Sequence, residues 1–227
     1  MIEIIDLEYG VLRIPALSIP EGHTAVIGRN GSGKTTFLRL LSGLVLPVTG
    51  EITIDGRPPR SVETGWVDEF PDRNMLFPLV RDEIAAPLRF RGMACREVEF
   101  CIQSLAHQTD ILHLLDRPFT LLSGGEKALV ALTTSLAGGP ELLVLDEFDS
   151  HLDEKTISCI RPLIGGVGQK YIVWCTQNMD LAKDADYLIV IHEGKVRHFG
   201  RPEEVFPHLI GSCLYPPSWR CLSAPDS

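Results

Sequence analysis

The segment Gly28 to Thr36, GRNGSGKTT, constrains the fold more than any other part of the chain. It follows the strand-like run TAVI and leads into the helix-like run FLRLL. Glycines at Gly28, Gly31 and Gly33 let the backbone N–H groups of Arg29, Asn30, Ser32 and their neighbours curl around phosphate oxygens. Lys34 supplies a point charge to the β- and γ-phosphates of a nucleotide, and the hydroxyl of Thr35, followed by Thr36, suits a magnesium ion. Strand, lysine, threonine and helix are all in register, so a strand–loop–helix unit built to hold a triphosphate is expected here.

The rest of the chain repeats that alternation. EIIDLEYG, HTAVIG, GEITIDG, ELLVLDE, YIVWCTQ and YLIVIHEGKV read as strands from their β-branched or apolar content and flanking turn residues. FLRLLSGLV and KALVALTTSLA read as helices. The pattern predicts an α/β fold with a mostly parallel core sheet and helices on its faces. From about Val80 to Leu115 the apolar positions recur every three or four residues without a strand signal, which predicts an inserted helical subdomain. The tail YPPSWRCLSAPDS, rich in proline and serine, is expected to be irregular.

Composition removes several classes of function. A net charge of −9 leaves no basic stripe to displace counterions from a nucleic acid, so no nucleic-acid partner is expected. The N-terminal MIEIIDLEYG is acidic where a secretory signal is basic, and no apolar run approaches the roughly 18 residues of a membrane span, so a cytoplasmic chain is expected. Six cysteines, at positions 95, 101, 159, 175, 213 and 221, form no CxxC pair and are read as buried, reduced thiols.

Two further motifs carry chemistry. In LLVLDE a buried apolar strand ends in Asp146, which can hold magnesium, and Glu147, which can orient or deprotonate water. In TLLSGGEKAL, residues Ser123, Gly124, Gly125 and Glu126 precede a helix-forming run, as a helix N-terminus that receives an anion does. One domain thus carries two anion sites.

GRNGSGKTT, then LSGGEKALVAL, then LLVLDE with HLD three residues later, together resemble the nucleotide-binding subunits of ABC transporters, over essentially the whole chain. The resemblance implies a P-loop NTPase (RecA-like) core sheet with an N-terminal antiparallel β subdomain. It implies one domain over residues 1–227, with a helical subdomain at about 78–130 and an irregular tail at about 211–227. ATP and magnesium are the implied cofactors. Tyr9 matches the aromatic that stacks on adenine. Ser150 to Asp153, SHLD, resembles the loop that crosses the subunit interface, with His151 where a small residue is more usual. In this family two subunits face each other head to tail, and the LSGG of one closes over the γ-phosphate held by the other. The second anion site then serves a neighbour's ATP.

EFPDRNMLFPLVRDEIAAPLRFRG and GRPEEVFPHL are similar to segments of the ATPases of energy-coupling factor importers for vitamins, cobalt or nickel. There this region grips a membrane partner, so Phe70, Met75, Leu76 and Phe77 are expected as exposed contacts. The implied setting is the cytoplasmic face of the membrane, bound to an integral transport component and to a second ATPase subunit, identical or not.

Three further positions depart from the family pattern. The glutamine that senses magnesium and water falls on Glu69, an oxygen ligand with an extra negative charge. The histidine that touches the γ-phosphate falls on Gln177. Phe148 replaces the proline after Glu147. Two functions therefore stand: an ATPase that powers import, with Lys34, Thr35, Glu69 and Asp146 around MgATP, Glu147 as base and Gln177 beside it; and an ATP-gated regulatory or degenerate module with little turnover.

Overall fold

In the first of two compact units, residues 1–62 with the chain from Lys170 onward, two sheets form. The computed structural model describes residues 1–166 and 168–220; the end of the expected irregular tail, with Cys221, lies outside the described residues. β1 (Ile2–Tyr9), β2 (Leu12–Ile19) and β4 (Thr49–Ile54) make an antiparallel sheet in the order β2-β1-β4. On β1, Ile2, Ile4 and Leu7 are buried while Glu3, Ile5 and Asp6 are exposed. The alternation slips by one residue where the register with β4 shifts between Ile5 and Glu8, and Asp6 there adopts φ 48°. β2 has no clear sequence signal because it contains Pro15, which an edge strand tolerates.

The second sheet of this unit places β3 (Gly22–Ile27) between β7 (Tyr171–Cys175) and β8 (Tyr187–His192), parallel to both, with β9 (Lys195–Gly200) antiparallel outside β8. β7 is buried throughout, as a covered parallel strand must be. The run YLIVIHEGKV, expected as one strand, is a hairpin. Glu193 (φ 48°) and Gly194 (φ 73°) form its two-residue turn, whose paired positive φ values match the twist of the flanking strands. α1 (Lys34–Leu41) follows the loop at the end of β3. α6 (Met179–Ala182), α7 (Pro202–Val205) and α8 (Pro217–Arg220) are single turns. Residues 211–220 are therefore not wholly irregular: Tyr215 is buried and packs edge-on against Phe206 and Trp219.

The second unit, residues 63–169, pairs the parallel strands β5 (Thr64–Val67) and β6 (Leu142–Asp146) and holds α2 (Val80–Phe90), α3 (Cys95–Gln108), α4 (Gly124–Ala137) and α5 (Glu154–Gly166). Val80, Ile84 and Leu88 of α2, Ile102 and Ala106 of α3 and Val130 of α4 share one core. The helical period seen in the sequence over residues 80–115 is realised as α2, α3 and a short turn at Leu112–Leu114. Cys95, Cys101, Cys159, Cys175 and Cys213 are free thiols, but only Cys175 is buried, so the expectation of burial fails for the others.

Candidate functional site

In the first unit the loop after β3 is shaped by contacts that only glycine permits. A Cβ on Gly28 (φ 156°) would lie 2.2 Å from the carbonyl oxygen of Ile191, and one on Gly33 (φ 106°) 2.8 Å from Leu12 Cδ2. The turn after β1 and the β8–β9 turn thus press on the loop from this unit. Gly194 N–H donates to Ser32 O (3.1 Å) and Arg13 N–H to Gly194 O (2.8 Å). Tyr9, partly buried at the end of β1, stands one residue before the turn that reaches Gly33. Sequence reasoning missed Leu12 and Gly194 as supports of the site. The Glu193-Gly194 pair inside an apolar run was the available signal.

Lys34 is only 4% exposed, and its Nζ donates to the carbonyls of Gly28 (3.0 Å) and Arg29 (3.3 Å). These bonds hold the ammonium at the loop, where a phosphate oxygen would be a stronger acceptor than either carbonyl. Among the described residues Ser32 Oγ is buried without a hydrogen-bond partner, and Gly33, which precedes α1, has no side chain to cap it. A buried hydroxyl, the N-terminus of a helix and a lysine cation form a donor set that fits a phosphate group. Thr35 and Thr36 lie in the first turn of α1.

Gln177 is exposed just past β7. Cys175 pairs with Val26, and Thr176 N–H donates to Val26 O (3.3 Å), so Gln177 leaves the sheet at the end where the loop begins. Asn178 Oδ1 accepts from Asp180 N–H (3.0 Å) and caps α6, which fixes the backbone beyond it.

In the second unit Asp146, 4% exposed, ends β6, and Glu147 follows in the left-handed region with φ 47°. That conformation costs a non-glycine residue about 1–2 kcal/mol, and strain of this kind concentrates at functional sites. Ser150 braces it, its N–H (3.0 Å) and Oγ–H (2.7 Å) both donating to Glu147 O. Phe148, where the family has proline, is 1% exposed and belongs to the core.

Ser123 caps α4. Its Oγ accepts from Glu126 N–H (3.3 Å) and its N–H donates to Glu126 Oε2 (2.7 Å), a reciprocal capping box. The backbone hydrogen bond from Ser123 is the main reason the Glu126 carboxyl is held below the ordinary carboxylate range, with Ser123 Oγ and Arg117 adding to it. The two glycines inside the cap differ. A Cβ on Gly125 would meet Thr156 Oγ1 at 2.6 Å, whereas one on Gly124 would meet nothing within 4 Å. Gly125 is required by the approach of α5 to α4; among the described residues nothing imposes a glycine at Gly124 in this way.

Glu69 lies beside His151, Oε1 to Nε2 3.5 Å. Both line a cleft of about 280 Å³ with Phe70, Gly124, Lys127 and Phe148. Of the four expected contact residues only Leu76 is strongly exposed, at 74%. Phe70, Met75 and Phe77 are partly buried, Met75 against the helical core. Glu83, buried at 4% exposure and unnoticed in the sequence, accepts from Leu76 N–H (2.9 Å) and Phe77 N–H (2.8 Å) and holds that loop in place. Among the described residues no cluster of three or more His, Cys, Asp or Glu is placed to hold a metal.

A family model described as ABC transporter matches residues 12–150. A biotin transport ATP-binding protein, BioM, of Rhizobium etli is 36% identical over 185 residues, 79% of this chain and 82% of that one. An energy-coupling factor transporter ATP-binding protein, EcfA1, of Latilactobacillus sakei is 34% identical over 205 residues, 85% of this chain and 73% of that one. Among solved structures, cbiO1 of Clostridium perfringens, described as part of the ABC transporter complex cbiONQ, superposes with a TM-score of 0.83 at 27% identity, covering 91% of this chain and 90% of that one. The fold expected from the sequence, a P-loop core with an antiparallel β subdomain and helical insert, is the fold found.

Proposed function

Because the chain belongs to the ABC transporter family and is one of its ATP-binding, ATP-hydrolysing subunits, we propose that it energises import through separate membrane proteins by ATP-driven pairing of two subunits. The observation that carries the pairing is Gly124. Its neighbour Gly125 is dictated by Thr156, but Gly124 opens onto unoccupied space at the N-terminus of a fourteen-residue helix. A glycine there, with Ser123 already engaged as cap, leaves room for the γ-phosphate of a nucleotide held by another subunit.

In this reading Lys34, Ser32 and the N–H groups of residues 28–36 hold the triphosphate, and Tyr9 covers the adenine. Thr35, Asp146 and Glu69 would hold a magnesium ion, which screens the phosphate charge. Glu147 accepts the proton of the attacking water, and Gln177 donates a neutral hydrogen bond to the γ-phosphate. The subunit sits at the cytoplasmic face of the membrane, held by an integral transport component that Leu76 helps to contact. Among the described residues no helix is long and apolar enough to cross a membrane. A net charge of −9 argues against a nucleic-acid partner.

Glu69 and Gln177, at positions where the family has a neutral glutamine and a histidine, favour a second reading in which the same pairing occurs with little turnover. Glu147→Gln tests the proposal. Removing the base while sparing the phosphate contacts should trap a dimer with MgATP on a sizing column and abolish phosphate release. A variant that stays monomeric at saturating MgATP, alone and with its partner subunit, overturns it. A wild-type protein that pairs but releases phosphate no faster than the variant establishes the second reading.

A further inference from the structure

Two residues that depart from the family pattern, Glu69 and His151, meet in the structure. The His151 ring lies 4.8 Å from the Phe70 ring, tilted by 31°, and its Nε2 is 3.5 Å from Glu69 Oε1. The loop that presents Glu69 and Phe70 is fixed by Asp68, which accepts from Glu69 N–H (3.1 Å) and from Asn74 Nδ2 (3.1 Å). Arg73 stands 4.3 Å from the Phe70 ring centroid. On the other side, His151 belongs to a tight turn. Ser150 closes on Glu147 O, and Leu152 N–H donates to Asp149 O (3.1 Å). Whatever holds the His151 ring therefore also constrains Glu147, which is in a left-handed conformation with φ 47°.

We propose that His151 is a positioning residue for hydrolysis: its ring docks the Glu147 turn onto Phe70, and its Nε2 faces the carboxylate that Glu69 introduces. Glu69 and His151 act as one exchanged pair. This rests on the reading of Glu147 as base and Glu69 as part of the MgATP site. Exposed as they are, with side chains 38% and 56% accessible, the two contribute little to stability. The effect is on placement. Removing His151 takes its ring off Phe70 and frees the turn; removing Glu69 takes away the side chain that Nε2 faces. Changing both removes the contact from its two sides at once.

The test is a double-mutant cycle on the purified subunit with its partners, using Glu69→Gln, His151→Ser and the double variant. His151→Phe, which keeps the ring on Phe70 but cannot pair, is added, with Glu147→Gln as control. Steady-state kcat and KM for ATP and direct nucleotide affinity are measured. His151→Ser should lower kcat about tenfold with ATP affinity changed less than about twofold, and His151→Phe should recover part of the loss. The double variant should retain activity about three- to tenfold above the product of the single effects, as contacting residues do. Multiplicative single effects, or an unchanged kcat in His151→Ser, overturn the pairing. Turnover that survives Glu147→Gln overturns the base assignment itself, and the pairing with it; loss of turnover there with multiplicative effects overturns the pairing alone.

Discussion

Gly124 and Gly125 are adjacent and chemically identical, yet an alanine should act oppositely at the two positions. At Gly125 the new Cβ would lie 2.6 Å from Thr156 Oγ1, 3.0 Å from its Cγ2 and 3.3 Å from its Cβ. Rotating the threonine only exchanges one branch for the other, so α5 must move away from α4 or the side chain must leave its rotamer. Overpacking of this kind costs about 1–3 kcal/mol, against which alanine's better helix propensity returns up to about 1 kcal/mol. The net expectation is a loss of about 1–2 kcal/mol, or a fall in Tm of roughly 2–8 °C for a chain of this size. At Gly124 nothing lies within 4 Å, so only the propensity gain remains and Tm should hold or rise slightly. Function should follow the reverse order. Gly124→Ala fills the space left for a neighbour's phosphate and should abolish ATP-dependent pairing, with ATP binding to the monomer intact. Thermal unfolding without nucleotide and sizing chromatography with MgATP read the two effects separately. A Gly124→Ala protein that pairs as wild type does would refute the role given to that glycine, and an undiminished Tm for Gly125→Ala would refute the packing argument.

Lys34→Ala should weaken ATP binding by roughly tenfold to a hundredfold, the worth of charge-assisted hydrogen bonds, and unchanged affinity in a titration would remove the phosphate site from residues 28–36. Gln177→His should raise kcat by about tenfold with little change in nucleotide affinity, because a histidine adds charge as the transferring phosphoryl group develops it; an equal or lower rate of phosphate release at saturating MgATP would mean that glutamine already suits the position. The Glu126 carboxyl is held low in the folded chain, so its contribution is complete above its unfolded value of about 4.3 and is lost as pH falls through the folded value. Wild type should therefore exceed Glu126→Gln in urea midpoint at pH 7, and the two curves should converge on acidification; a constant gap would show that the capping-box charge is not involved.

The sequence carried the glycine loop between β3 and α1, the Asp146–Glu147 strand end and the helix start at Ser123 legibly, because each is a local arrangement whose geometry is set by consecutive residues. β5 and β2 were not legible for the same reason inverted. Thr64–Val67 is a four-residue strand placed by its pairing with β6, and a Cβ on Gly65 would meet Ser135 O at 2.6 Å, a contact made with a helix far along the chain. The β8–β9 hairpin was missed although Glu193-Gly194 marks its turn, because the apolar residues on either side read as one continuous strand.

The same distinction separates what a motif announces from what supports it. Gly28 and Gly33 appear in the sequence as two glycines of a phosphate loop, but one is imposed by the carbonyl of Ile191 and the other by Leu12. Both supports lie in strands that nothing in the loop's own sequence could indicate. Glu83 is the clearest case: in VRDEIAAPLRF it looks like one of two acidic residues opening a helix, where a solvated carboxylate favours the helix dipole. It is instead buried and spends its Oε2 on the N–H groups of Leu76 and Phe77, which leaves Leu76 facing outward. A carboxylate taken out of water must be met by donors, and two backbone amides of one loop meet it here. The exposure of Leu76 is therefore a consequence of Glu83 and of the fold of α2, so a surface residue expected to face a partner is set by a buried one that the sequence reading did not single out.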